Sequence, residues 1–164
     1  DAVTTAKMAS NSVTSDTIAS GITLAGTTTL TSHLLMGDGA SSEWYKNLIK
    51  APWTPEGWVF GFAWTFLMTC FAAYLAKLST LENSPKLISI LLIQYFLNLI
   101  WNFIFFNQQE IIFGLIDIIL LTIVVAFILI NNLSVMKKFS ILILPYFLWL
   151  LIATSLNLYI AIYN

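Results

Sequence analysis

Residues 111–130 read IIFGLIDIILLTIVVAFILI, twenty consecutive positions in which Asp117 is the only charged residue. A hydrocarbon core about 30 Å thick needs about twenty apolar residues in a helix, so this stretch alone is long enough to span a bilayer. Comparable stretches lie on either side, at about 58–78, 87–106 and 139–163. They are separated by short polar connections carrying Lys77, Glu82 and Lys86, then Asn107 to Glu110, then Asn131 to Lys138. Their many β-branched residues would favour strands in water. In lipid, each segment must satisfy its own backbone polar groups, which makes all four helices. Both faces of every stretch are apolar, unlike the alternation of a membrane barrel strand.

Composition agrees. The chain of 164 residues is 59% hydrophobic and only 9% charged, with a mean hydropathy of +0.85, whereas soluble domains carry roughly 25% charged residues. These features describe an all-α integral membrane protein. The net charge of −1 comes with a single His and seven Lys, so no clustered cations support nucleic-acid binding. Cys70 is the only cysteine and lies in an apolar run, so it supports neither an internal disulfide nor a Cys/His metal set.

Residues 1–42 differ from the rest, with 16 Ser and Thr and no aromatic residue, while all aromatic residues lie at or after Trp44. Within this region, residues 18–36 hold nine apolar residues and two Gly diluted by seven Ser/Thr and His33. Such a segment spans a bilayer only if it packs among other helices, where small residues allow close approach and hydroxyls bond back to their own turn. The other reading is a polar Ser/Thr-rich tail. The chain opens on Asp1, as a removed targeting segment or a tag remnant ahead of Met8 would leave it. With a first span, Lys7, Lys77, Lys86, Lys137 and Lys138 fall on one side, A, and Lys46 and Lys50 on the other, B. The positive-inside rule then places side A in the cytoplasm or its equivalent.

The densest signal is the side-B connection and the helix start that follows it: Trp44, Tyr45, Lys50, Trp53, Pro55, Trp58, Phe60, Gly61 and Trp64 within 21 positions. Pro52 and Pro55 make residues 51–55 stiff and irregular. Tryptophans at a helix start commonly anchor it at the interface; four between 44 and 64 also describe a lid or pocket wall. At about 1.5 Å per residue, Asn98 and Trp101 lie about 16 and 21 Å above side A, Asp117 about 9 Å below side B, and Trp149 near the midplane. Asn98, Trp101, Asn102 and Phe105 share one helical face, and Trp149, Ala153 and Leu156 another. Polar intramembrane groups are costly towards lipid, so both faces are expected to point inward. They form either an apolar pocket with a few polar groups, or a tight core with Asn98 and Asp117 as interhelical hydrogen-bond partners.

Three blocks resemble the translocator protein / tryptophan-rich sensory protein family. The first is Trp44-Tyr45, Leu48, Lys50, Trp53, Pro55, Trp58-Val59-Phe60-Gly61 and Trp64-Thr65; the second is Leu97-Asn98-Leu99-Ile100-Trp101, Ile104-Phe105-Phe106, Gly114 and Asp117; the third is Leu144-Pro145-Tyr146, Trp149 and Ala153-Thr154-Ser155-Leu156-Asn157. Ala51, Glu56 and the pair Asn102-Phe103 depart from the family pattern. The resemblance implies a five-transmembrane-helix bundle: a polar segment 1–17, then a membrane domain over 18–164 whose first span is 18–36 and whose 37–57 loop is a pocket lid. It also implies binding of a hydrophobic small molecule, a porphyrin or other tetrapyrrole before a sterol, with no required cofactor and residence in a bacterial or organellar membrane. The ligand-binding residues expected are Trp44, Tyr45, Trp53, Trp58, Asn98, Trp101, Asp117, Trp149, Ala153 and Leu156.

Catalysis has little support, since one membrane aspartate without paired carboxylates or a Ser/His or Cys/His set offers no general acid–base or nucleophilic apparatus. A sterol-type motif has Leu156 and Tyr159 but no following Lys or Arg. The competing class is a non-catalytic structural subunit or assembly factor of a larger membrane complex. For a homodimer, the small residues Gly57, Gly61, Ala72, Ala73 and Ala76 are the expected surface.

Overall fold

The computed structural model describes residues 39–82 and 84–164; the segments 1–17 and 18–36 lie outside the described residues. Five α-helices follow: α1 (Glu43–Asn47), α2 (Gly57–Leu81), α3 (Pro85–Asn102), α4 (Ile111–Met136) and α5 (Leu144–Tyr163). Among the described residues there is no strand, and four helices are long and apolar enough to cross a membrane.

Local chemistry sets where the helices begin and end. Ser84 caps α3 by accepting the Leu87 N–H at 3.2 Å, and Pro85 occupies its first turn. The end of α3 widens into a π-turn over Phe103–Asn107, closed by Gln108 N donating to Phe103 O at 2.9 Å. Helix α4 runs past the expected stop at Asn131. Asn131 and Asn132 donate their side-chain amides to Phe127 O and Ile128 O, one turn back, so neither asparagine competes with the helix. It ends at Met136, where Lys137 takes a positive φ of 49°.

The last helix was expected from 139, but Lys137–Leu142 forms a 3₁₀ segment and α5 starts at Leu144, with Pro145 in its first turn. Tyr146 of α5 stands level with Gln94 and Asn98 of α3, whose side-chain amides its hydroxyl accepts, and Trp149 lies about one helical turn further along α5.

Helix α4 packs between α3 and α5, and α2 packs against α5, α4 and the 3₁₀ segment. The core joins Leu67, Phe71, Tyr74 and Leu78 of α2 to Ile118, Leu121, Val125 and Ile128 of α4 and Tyr146 and Leu150 of α5. Large apolar side chains also cover the outside, including Phe62, Leu92, Phe113, Ile123 and Leu148, as a lipid-facing surface requires. Of the small residues expected at a dimer surface, Gly57, Gly61 and Ala73 are exposed, whereas Ala72 and Ala76 are buried in the bundle.

Candidate functional site

The side-B loop is built before it meets the bundle. Ser42 accepts the Tyr45 N–H at 3.2 Å and starts α1. Lys50 folds back over the end of this helix and donates to Tyr45 O at 2.7 Å, Lys46 O at 2.9 Å and Leu48 O at 3.3 Å. Its ammonium also lies 4.9 Å from the centre of the Tyr45 ring. Burial raises the Tyr45 phenol above its ordinary value.

So braced, α1 sets Trp44 and Tyr45 on the end of α3. Trp44 meets Phe105 edge-on at 5.5 Å, and Tyr45 meets Phe106 edge-on at 5.4 Å. Trp101 stacks on Phe105 at 5.3 Å with the rings 9° from parallel. The π-turn brings this about by turning Phe105 into the bundle, where it is buried against Gly114 of α4.

A second aromatic group belongs to α5. Trp53 meets Tyr159 edge-on at 5.5 Å and donates its indole N–H to Ser155 Oγ at 3.3 Å, while Trp149 meets Phe60 of α2 edge-on at 5.6 Å. The loop therefore rests on α3 at one end and on α5 at the other. Trp58 joins neither group: it is 70% exposed and donates to the Glu56 carboxylate at 2.8 Å, the posture of an interfacial anchor. No aromatic contact links Trp101 to Trp149 among the described residues.

Beneath the loop runs a buried polar seam. Gln94, Asn98 and Asn102 recur every fourth residue on α3, and all three are buried. Gln94 Nε2 donates to the Tyr146 hydroxyl at 3.0 Å, Asn98 Nδ2 donates to the same hydroxyl, and Asn102 Nδ2 donates to Asn98 O at 3.3 Å. On α5, Asn157 Nδ2 donates to Ala153 O at 2.9 Å. The Thr122 and Thr154 hydroxyls join α4 to α5 at 3.1 Å.

These bonds use the amide N–H groups and leave oxygens over. Asn98 Oδ1, Asn157 Oδ1, Asp117 Oδ2 and the Trp101 indole N–H are buried with no hydrogen-bond partner. Such groups are costly at membrane depth, and natural proteins keep few of them without a reason. Ala153 is half-buried and Leu156 buried on the same helix as Asn157. Among the described residues no three His, Cys, Asp or Glu side chains gather as metal ligands.

Sequence reasoning missed Gln94 and Tyr146, the centre of the seam. Gln94 stands one helical turn before Asn98, which was the available signal. Tyr146 stands in the third family-like block, but nothing local to it names its partners, which depend on where α5 starts.

The family model for TspO/MBR matches residues 18–163. The chain belongs to the TspO/MBR family. Among its relatives in the family, the tryptophan-rich protein TspO of Archaeoglobus fulgidus is 35% identical over 123 residues, 74% of this chain and 80% of that protein. The protein of the same name from Chlorobaculum tepidum is 34% identical over 121 residues, 71% of this chain and 77% of its own. The tryptophan-rich sensory protein of Cereibacter sphaeroides is 30% identical over 115 residues, 70% and 73% of the two chains. Family membership and the four apolar helices make this an integral membrane protein.

Proposed function

We propose that this TspO/MBR protein is a five-span bundle that binds a flat hydrophobic ligand, a tetrapyrrole before a sterol, for sensing or transport at a membrane. The ligand lies between the 44–57 loop and the side-B halves of α3, α4 and α5. One observation carries the reading: tryptophan-bearing loop residues rest on aromatic side chains of two helices, directly above buried polar atoms without partners. Apolar walls with a few unsatisfied polar groups are what a hydrophobic ligand with a polar edge requires. The name tryptophan-rich sensory protein, borne by a relative, supports the sensing role.

The fifth span in this reading is residues 18–36, which the family match includes. In a Cys70→Ser background, cysteines introduced at Ser10 and Ser41 should label from opposite sides of the membrane; labelling from one side would leave four spans.

Ligand binding is tested by titrating protoporphyrin IX against tryptophan fluorescence. Aromatic contacts contribute about 0.5–1.5 kcal/mol each beyond area, so a Trp101→Ala, Trp149→Ala variant should bind roughly tenfold more weakly. Unaltered affinity removes the pocket assignment. Copurification in a stoichiometric complex without porphyrin binding would favour the structural-subunit reading instead.

A further inference from the structure

The two ends of the side-B loop are held by different means. At α3 the hold is aromatic and packed: Trp44 and Tyr45 press on Phe105, which is 1% exposed, and on Phe106. At α5 the hold lies at the surface and consists of hydrogen bonds and one aromatic edge, Trp53 against Tyr159 at 5.5 Å. Asn164 Oδ1 accepts the Ile49 N–H at 2.9 Å, and Asn164 Nδ2 donates to Ile49 O at 3.2 Å and to Ile160 O at 2.9 Å. One side chain thus clamps both backbone groups of Ile49 onto the last turn of α5. Ser155 adds the bond to the Trp53 indole, and Trp53 is itself 55% exposed.

The stretch that carries the α5 hold is stiff. Pro52 and Pro55 fix φ at two positions, and Thr54 N donates to Ala51 O at 2.9 Å to close a turn. On either side the backbone is extended, at Leu48 (φ −65°, ψ 143°) and at Glu56 (φ −64°, ψ 151°). A stiff segment between two extended residues moves as one body when its weaker hold lets go. Aromatic contacts around the buried Phe105 ring resist opening more than an exposed tryptophan and hydrogen bonds that water can replace, so the α5 side opens first.

We propose that residues 49–55 form a strap over the ligand site, latched to α5 by Asn164 and Ser155, and that release of this latch admits the ligand from side B beside the last turns of α5. Asn164 and Ser155 are positioning residues in this device; they set how often the strap opens and touch no ligand. The gating step rests on the ligand reading above, whereas the latch itself does not.

The test uses the full chain in nanodiscs and separates the two. Amide hydrogen exchange is followed at Ile49 without ligand, and protoporphyrin IX association and dissociation are followed by stopped-flow tryptophan quenching. In Asn164→Ala, the Ile49 amide should exchange about tenfold faster, because it loses its acceptor and the clamp. Porphyrin association and dissociation should both accelerate by about threefold to tenfold while Kd moves less than either rate, the mark of a barrier rather than a contact. Ser155→Ala should do the same more weakly. Asn131→Ala, which removes an exposed asparagine bonded only to its own helix, should change neither readout.

Unchanged Ile49 exchange in Asn164→Ala overturns the latch. Faster exchange with unchanged association rate overturns the gate. Failure of the native chain to bind porphyrin removes the gate together with the ligand reading, and the Ile49 exchange still decides the latch. A fall in core amide protection as well would show that the variant loosens the whole bundle, and would count against a local strap.

Discussion

A single methyl group at Gly114 probes the joint between α3 and α4 on which the aromatic site rests. A Cβ built there would stand 3.0 Å from Phe105 Cδ2, 3.2 Å from Phe105 Cβ and 3.6 Å from Phe105 Cα. Carbon atoms pack best at about 3.5–4.0 Å, so the ring would have to retreat by about 0.5 Å or more. It has nowhere to go, with Trp101 stacked on one face and the edges of Trp44 and Phe106 at 5.5 and 5.1 Å. Overpacking of this kind costs about 1–3 kcal/mol, against a helix-propensity gain of about 1 kcal/mol for replacing glycine. Gly114→Ala should therefore be destabilised by about 1 kcal/mol, a fall of about 2–4 °C in Tm on the scale of soluble chains this size. Gly61→Ala is the matched control, because a Cβ there meets nothing within 4 Å; it should be neutral or slightly stabilising. Thermal unfolding of both variants in one detergent reads the difference, and protoporphyrin quenching should weaken only in Gly114→Ala. Equal Tm values for the two would show that α3 and α4 do not meet as closely as the structure has them.

Tyr146→Phe removes the acceptor shared by Gln94 and Asn98 and leaves two buried donors, at about 1–3 kcal/mol each; a loss under about 1 kcal/mol by thermal unfolding would contradict the seam. Thr122→Val should cost less than Tyr146→Phe in the same assay, since it breaks one neutral hydroxyl pair with Thr154. Tyr45 has a folded pKa above the ordinary 10.0, so the unfolded chain loses this proton first; the stability it contributes is intact below pH 10 and is lost as pH rises from there through the folded-state value. Tyr45→Phe should flatten that alkaline loss, and an identical pH profile would sink the assignment. Deleting residues 1–36 should lower the Tm of the remaining helices if 18–36 is the first span, and an unchanged Tm would argue that it is a tail.

Four spans were legible because lipid asks one question of a segment, whether it is long and apolar enough, and residues such as Ile111–Ile130 answer it without any tertiary information. Boundaries were harder, because they depend on side chains that act on the backbone. Asn131 and Asn132 read as loop residues, yet each bonds to its own helix and prolongs it. The start of the last helix was misread in the same way, since a 3₁₀ segment stands in place of residues 139–142 of the expected helix. Helical periodicity put Asn98, Trp101 and Phe105 on one face, and the structure has all three buried or half-buried there. Periodicity names no neighbour, however, so it did not show Trp101 and Trp149 falling into different aromatic groups.

The polar seam explains why those groups matter. Gln94, Asn98 and Tyr146 satisfy one another across the bundle, which accounts for them as structure alone. Asn98 Oδ1, Asn157 Oδ1, Asp117 Oδ2 and the Trp101 N–H do not. A bundle selected only for tight packing would be more stable with apolar residues at such places, and α4 shows along Leu121, Val125 and Ile128 that the chain builds such a core. These four stand towards side B, under the loop, and come from three helices, whereas the Tyr74 hydroxyl and Ser140 Oγ, also buried without a partner, belong to α2 and the 3₁₀ segment. Three of the four are acceptors, so a guest that donates hydrogen bonds from a flat apolar body fits them better than one that only accepts. At a porphyrin's centre the inner N–H groups of the free base point into the ring and are not offered to side chains, whereas the zinc complex presents an open axial position to an oxygen ligand, so the zinc complex should bind more tightly wherever those acceptors face the macrocycle's centre. Equal affinity for the two, measured by the same quenching titration, would place the macrocycle's centre away from Asn98 and Asp117.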